Sequence, residues 1–236
     1  MTAASSITER MRAAASEVWD GLHGHPFIRE LAEGTLPLEK FRYFVEQDDL
    51  FLEDYARCLA IGVSKARDDR EIRWFATDLR TVLEAELLSN QRLLARVIEL
   101  GAVDRGGSSG PAPATVGYTS YLQVVATRGG LLELATALLP CAWSYIEIAT
   151  RLAEETSSDH PVYAEWIAYF ASPENVALVE EMRSDVDRLA EVERVDGARR
   201  ADLERIFATS SRLERMFWDM AYELQRWPDP NSAPLS

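Results

Sequence analysis

Cysteine and histidine are scarce in this sequence of 236 residues, which contains two cysteines and three histidines. A disulfide scaffold needs more cysteines, and the two present, Cys58 and Cys141, lie far apart in apolar segments, which favours reduced thiols. None of the histidines stands in a Glu-x-x-His pair of the kind found in di-iron helical bundles. The sequence therefore predicts no metal site, and it contains no glycine-rich nucleotide-binding motif.

Positive charge is also in short supply, because 25 lysines and arginines stand against 39 aspartates and glutamates, for a net charge of −14. Binding to nucleic acid requires a clustered basic surface, so we expect no nucleic-acid partner. The sequence has neither a run of 18 apolar residues nor a secretory leader with a basic and then an apolar region. We therefore expect a cytoplasmic protein that does not contact a membrane.

Apolar residues recur at helical spacing along most of the chain, and no stretch alternates as a strand would. The pattern predicts an all-α bundle of seven to nine helices in a single domain over residues 1–227, followed by a flexible tail over residues 228–236. Glycine, serine and proline predict one extended loop over residues 101–117. The predicted helices span about residues 7–21, 26–32, 69–100, 114–127, 130–155, 161–171, 173–192 and 197–224. A further long helix is predicted to begin at residue 37.

Capping residues mark several of these helix starts. Ser5 or Ser6 is predicted to cap the first helix, and Ser172 followed by Pro173 is predicted to begin a later one. Within the predicted helix over residues 69–100, an apolar stripe is expected to face the core. The residues of this stripe are Ile72, Phe75, Leu79, Val82, Leu83, Leu93 and Val97.

A polar side chain on an apolar stripe must be paired or serve a ligand, because burying an unpaired charge costs several kcal/mol. Asp48 is such a residue, since it lies at helical spacing among Phe41, Phe44, Val45, Leu52 and Tyr55. Its carboxylate is expected to point inward. Pattern alone leaves two alternatives open, a ligand-binding carboxylate or one tied to an arginine such as Arg57 or Arg151.

Cys141 and Tyr145 share a second stripe, one helical turn apart, and are expected to line one cavity. Pro140 lies inside the same predicted helix, where it removes a backbone donor and favours a kink that makes room for a ligand. The alternative is that Cys141 is an inert buried thiol, which spacing alone favours. Cys58 has no chemical neighbours in the sequence and is interpreted as inert.

Glu214 lies on the apolar stripe of the last predicted helix, among Met216, Phe217 and Trp218. Burial there would raise the pKa of its carboxyl and suit it to general acid and base chemistry near neutral pH. A salt bridge to Arg212 or Arg215 is the alternative. Tyr118 and Tyr121 follow the predicted loop, and spacing does not separate a core role from a ligand-binding one.

Five strings in this chain resemble the TenA-type thiaminase II family, in the order expected and over about residues 10–227. The spacing from Tyr118 to Cys141, together with the proline before Cys141 and Trp143 two residues after it, carries most of the resemblance. The strings are HPFIRELAEGTL (25–36), FRYFVEQD (41–48), YTSY (118–121), LLPCAWSYIEI (138–148) and ERMFWDMAY (214–222).

The resemblance implies a haem-oxygenase-like helical fold without a cofactor, assembled as a homotetramer. It implies hydrolysis of thiamine or its aminopyrimidine breakdown products to hydroxymethylpyrimidine, for thiamine salvage. By position, Cys141 is implied as the nucleophile, Glu214 as the acid and base, and Asp48 as the partner of the pyrimidine's amino group and ring nitrogen. The residues implied to shape and stack on the small-molecule pyrimidine are Tyr118, Tyr145 and Phe217.

Two positions depart from the family's pattern, because Phe51 and Phe170 stand where tyrosine is usual. Loss of a hydroxyl that binds substrate costs about 1 to 3 kcal/mol, so these substitutions bear on which substrate fits. Both are still expected to line the pocket. Two other hypotheses remain open from the sequence, a cofactor-free enzyme of specialised metabolism acting on a related heterocycle, and a non-catalytic pyrimidine-binding regulatory protein.

Overall fold

The computed structural model describes residues 6–155 and 159–228, and within these ranges the chain contains helices and no strand. The predicted all-α fold is confirmed. The α-helices, in chain order, are α1 (Ile7–Ala14), α2 (Ser16–His23), α3 (Pro26–Glu33), α4 (Leu38–Lys65), α5 (Asp69–Thr81), α6 (Leu87–Glu99), α7 (Pro113–Arg128), α8 (Leu131–Glu155), α9 (Pro161–Phe170), α10 (Pro173–Val192) and α11 (Gly197–Glu223).

Two of the predicted long helices are divided in the structure. The first is interrupted at Ala15, between α1 and α2, and the second contains a π-helical segment, Val82–Glu86, between α5 and α6. If each is counted as one bent helix, the described residues contain nine helices, within the predicted range. A short 3-10 turn, Gly107–Ser109, lies in the predicted loop.

Side-chain caps explain where several helices begin. Ser6 and Glu9 form a capping box at α1, while Ser5 lies outside the described residues. Ser172 accepts a hydrogen bond from the Asn175 amide at the start of α10, where Pro173 occupies the first turn, as predicted. Of the predicted tail, residues 229–236 also lie outside the described residues.

The inward stripe predicted for residues 69–100 is wrong at two positions, because Ile72 is 43% exposed and Leu83 is 49% exposed. In α5 the buried face is set by Trp74, Phe75 and Asp78, which leaves Ile72 on the outer side. Leu83 lies in the π-helical segment, where each turn holds an extra residue and ordinary helical spacing no longer gives the buried face.

The core lies around α4, α8 and α11, which pack on one another and on α7. α8 continues through Pro140. By length and composition α8 is apolar enough to cross a membrane, but 78% of its apolar window is buried inside the protein, as a core helix would be. In the described ranges this is the one helix with such a composition, and its burial is explained by packing.

Candidate active site

A cavity that encloses about 440 Å³ of empty space, its open mouth included, lies between α4, α5, α8, α9 and α10. Cys141, Tyr145 and Phe170, three of the predicted site residues, line it. The part of it that water-sized molecules can occupy is about 60 Å³, less than a typical small-molecule site, so binding of a pyrimidine requires the lining side chains to move apart. The other lining residues are Leu52, Tyr55, Asp78, Thr81, Val82, Glu86, Ala142, Leu178 and Met182.

Cys141 is a free, partly buried cysteine on α8. Its pKa is raised well above the usual value, first by burial and then by the negative charges of Glu214, Glu86 and Asp48. The resting side chain is therefore a thiol. Cys58, in contrast, is fully enclosed in the core and does not line the cavity, in line with the prediction that it is inert.

Asp48 is 5% exposed on α4, and its Oδ2 accepts a hydrogen bond of 2.8 Å from Nδ2 of Asn90 on α6. Burial raises the pKa of its carboxyl, and the Asn90 bond opposes that shift. The alternative that an arginine neutralises Asp48 is wrong for both arginines considered. Arg57 pairs with Asp54 at 2.6 Å, and Arg151 donates to the His23 carbonyl at 2.9 Å.

Glu214 is 1% exposed on α11, and burial raises its pKa to about 8. The phenols of Tyr118 and Tyr145 lie beside it and partly offset that shift. Within residues 6–155 and 159–228, neither Oε2 of Glu214 nor the Tyr118 hydroxyl completes a hydrogen bond. The alternative of a salt bridge to Arg215 is wrong, because Arg215 pairs with Asp219. Glu214 therefore holds a proton near neutrality and faces unfilled bonding positions.

Several aromatic rings pack against one another in the same region. The ring of Phe51 lies 4.8 Å from that of Tyr118 and 5.7 Å from that of Phe217, and the ring of Tyr145 lies 5.0 Å from that of Phe170. All five are buried. Phe51 and Phe170 thus contribute apolar surface where a tyrosine would add a hydroxyl. Such walls suit a flat heterocycle.

Sequence reasoning missed four polar residues that belong to this region, Tyr55, Asp78, Glu86 and Asn90. Three of them line the cavity, and Asn90 holds Asp48. A signal was available, because Glu86 and Asn90 follow Val82 at steps of four on the inward stripe of the predicted helix. This spacing signal is obscured because acidic and apolar residues alternate around Glu86.

The buried acids give the folded protein an unusual pH dependence. The pKa of Glu214 is raised to about 8 and that of Asp78 to about 7, whereas both ionise near pH 4 in an unfolded chain. Between pH 6.5 and 8.5 the unfolded state therefore binds fewer protons than the folded state, so stability falls as pH rises. The slope approaches about 1.4 kcal/mol per pH unit for each group that stays protonated.

We expect the free energy of unfolding to decrease by roughly 3 kcal/mol from pH 6.5 to pH 8.5, measured by chemical denaturation across that range. The Glu214→Gln variant serves as the matched control, because it removes one of the titrating groups and is expected to show a smaller slope. A stability that is flat or rises over this interval would contradict the assignment of raised pKa values to these carboxyls.

The site is rich in groups that attract a cation. Glu86 also lines the cavity, and burial raises the pKa of its carboxyl, with Asp48 and Glu214 adding to the effect. No lysine, arginine or histidine is among the lining residues in the described part of the chain. The same part of the chain contains no group of three or more metal-ligating side chains placed to hold a metal ion. The arrangement can bind a positively charged, flat molecule and exchange a proton with it.

Comparison with known proteins gives matches over nearly the whole chain. The sequence profile of the TENA/THI-4/PQQC family matches residues 12–224. A protein of Halalkalibacterium halodurans named aminopyrimidine aminohydrolase is 39% identical over 96% of this chain and 98% of its own length.

Solved structures give the same result. A TenA homologue from P. horikoshii OT3 is 32% identical, with a TM-score of 0.80 over 93% of this chain and 99% of its own. A Shewanella denitrificans OS217 domain with a haem-oxygenase-like fold shares 15% identity and a TM-score of 0.68 over 92% of both chains, which confirms the predicted fold. The chain belongs to the TENA/THI-4/PQQC family.

Proposed function

We propose that this protein is an aminopyrimidine aminohydrolase, or thiaminase II, which hydrolyses thiamine or its aminopyrimidine breakdown products to hydroxymethylpyrimidine. The observation that carries the proposal is a cysteine thiol on one cavity wall, with a proton-bearing glutamic acid and an amide-bound aspartate beside it. The name of the Halalkalibacterium halodurans relative, aminopyrimidine aminohydrolase, gives the substrate class.

Recognition of the pyrimidine is assigned to Asp48 and the aromatic rings. A carboxyl can pair with a ring nitrogen and the adjacent amino group at once, which fixes the orientation of the heterocycle. Asn90 holds the Asp48 carboxyl from behind, so one oxygen is positioned before the substrate arrives. The rings of Tyr145 and Phe217, which pack against Trp218 and Phe44 respectively, are assigned to stacking on the pyrimidine.

The proposed chemistry uses Cys141 and Glu214 in sequence. The Cys141 thiol adds across a C=N bond of the pyrimidine ring, with Sγ bonding the carbon and the thiol proton passing to the ring nitrogen. The bond between the exocyclic methylene carbon and the leaving nitrogen then breaks, and Glu214 gives its proton to a neutral amine as it departs. Water adds at the methylene carbon, Glu214 takes a proton from it, and the ring nitrogen returns its proton to Sγ as the Cys141–ring bond breaks. The sum is aminopyrimidine plus water giving hydroxymethylpyrimidine and the amine, with both side chains restored. Thiamine instead loses a neutral thiazole, so there Glu214 acts only as the base and one proton is released.

Cys141 must lose its proton before it attacks, and three neighbouring acids oppose that loss. A positively charged substrate reverses the local field, because it offsets the negative charges that raise the thiol's pKa. Thiamine carries a permanent positive charge on its thiazolium ring. Substrate binding is thus expected to favour the thiolate at the moment when it is needed.

The direct test is turnover by the purified protein. Thiamine and the aminomethylpyrimidine are incubated separately with it, and hydroxymethylpyrimidine is quantified against the amine released. We expect product and amine in equal amounts and no requirement for an added cofactor. Absence of product above a heat-inactivated control, with either substrate, would overturn the proposal. Tight binding without turnover would favour the regulatory hypothesis instead.

We also propose that the protein acts in the cytoplasm as a homotetramer. Free thiols at Cys58 and Cys141 support a reducing compartment. Several large apolar side chains on and just after α6 are about half exposed, which supports self-association through this part of the surface. They are Leu88, Ile98, Leu100 and Val103. Light scattering after size-exclusion chromatography measures the mass, and a monomeric mass would contradict the assembly.

A further inference from the structure

The cavity extends beyond the predicted site residues. Besides Cys141, its lining includes Tyr55 on α4, Asp78 on α5, Glu86 in the π-helical segment and Met182 on α10. Tyr55 is 5% exposed. One cavity is therefore lined by both the reactive thiol and two carboxyls.

The π-helical segment reverses the usual placement of polar and apolar residues. Leu83 in this segment is 49% exposed, whereas Glu86, which is partly exposed, lines the cavity. Exposing a leucine and turning a carboxyl toward a cavity costs folding free energy. Such π-bulges occur often at functional sites. A ligand-binding role for Glu86 accounts for the arrangement.

Asp78 is 5% exposed and faces the cavity, yet it has no counterion. Neither Asp78 nor Glu86 forms a salt bridge anywhere in residues 6–155 and 159–228. The indole of Trp74 lies beside Asp78, but its Nε1 completes no hydrogen bond there. A buried carboxyl without a cationic partner is costly in its ionised form, so a positive charge supplied by a ligand would be strongly favoured.

We propose that Asp78 and Glu86 form an outer subsite that binds the positively charged thiazolium leaving group of thiamine, while Asp48 and the aromatic rings hold the pyrimidine. This subsite rests on the proposed function. It places the substrate across Cys141, with one end against Asp48 and the other against the outer carboxyls. Leu178 and Met182 provide apolar surface for a leaving group larger than an amine.

The subsite makes the affinity for a ligand depend on the ligand's positive charge. A substrate analogue of the same shape but without the positive charge loses its attraction to Asp78 and Glu86 and keeps its contacts with Asp48. Thiamine and deazathiamine form such a pair, because a neutral thiophene replaces the thiazolium ring in the second. The two ligands therefore isolate the charge-dependent part of binding.

The test measures dissociation constants for thiamine and deazathiamine by calorimetry at pH 8.5, in full-length Cys141→Ala protein so that thiamine is not consumed. The double variant Asp78→Asn/Glu86→Gln in this background is expected to bind thiamine at least about tenfold more weakly and deazathiamine with less than a threefold change. Glu84→Gln, which changes an exposed acid in the same π-helical segment, is the matched control and is expected to alter neither.

An equal loss of affinity for both ligands, or no loss for thiamine, would overturn the subsite. The single variants Asp78→Asn and Glu86→Gln give the same comparison if the double variant does not fold, as judged by its thermal unfolding. Turnover by the parent protein with Cys141 intact is measured separately. If it hydrolyses thiamine while the ratio of the two affinities does not respond to the variants, the subsite fails and the proposed function stands. If the parent protein does not hydrolyse thiamine but the ratio of the two affinities responds to the variants, the subsite stands and the proposed function fails.

Discussion

Replacement of Cys141 by alanine is expected to lower kcat/KM for hydrolysis of the aminomethylpyrimidine by about a thousandfold or more. The reason is that alanine removes the only thiol that lines the cavity in the described part of the chain, and with it the covalent route. Cys141 lies at the cavity wall, so its loss enlarges a space that already exists and leaves no new hole in the core. We expect the variant to fold and to bind substrate.

Cys58→Ala provides the control for this experiment. Cys58 is fully buried in the core, so its replacement is expected to lower the free energy of unfolding by about 1 kcal/mol through the cavity it leaves. Activity per folded molecule is expected to stay within about twofold of the parent. Steady-state rates and thermal unfolding of both variants separate a chemical role from a structural one. A Cys141→Ala protein that retains a tenth of the parent activity would contradict the proposed nucleophile.

The positions of the principal site residues could be predicted because each is a polar or reactive group at regular helical spacing among apolar ones. Cys141 and Tyr145 are one turn apart on α8, and both line the cavity in the structure. Asp48 and Glu214 lie on other helices and are buried as their spacing predicts. Residues on a regular α-helix can be assigned to its buried face from sequence, because the period of 3.6 residues per turn fixes that face.

Spacing places Glu86 on the same stripe as Val82, but it does not reveal that the helix is irregular there. The π-helical segment Val82–Glu86 breaks the period, so the stripe that is correct for Phe75 is wrong for Leu83. The hydrogen bond from Asn90 to Asp48 joins residues on α6 and α4, and pairing across helices depends on how the helices pack. Local spacing contains neither the irregular turn nor the tertiary contact.

Neutralising Glu214 is expected to have opposite effects on activity and on stability. Glu214→Gln keeps the shape of the side chain but cannot donate or accept the proton, so we expect kcat to fall by roughly a hundredfold to ten-thousandfold. The expected change in KM is smaller, because substrate contacts are assigned mainly to Asp48 and the aromatic rings.

The same variant is expected to be more stable than the parent at pH 8.5, by an amount on the order of 1 kcal/mol, because the parent must ionise a carboxyl that is 1% exposed. Asp202→Asn on the same helix is the matched control, since that carboxyl is 62% exposed and pairs with Arg205 on the surface. Its replacement is expected to change stability little and kcat not at all.

If Glu214 were only a structural carboxyl, the Glu214→Gln variant would behave in the opposite way, because its removal would cost stability and leave the rate unchanged. Measuring kcat and chemical denaturation on one preparation of each variant therefore distinguishes the two roles, and a Glu214→Gln protein that is less stable and fully active would exclude Glu214 from the chemistry.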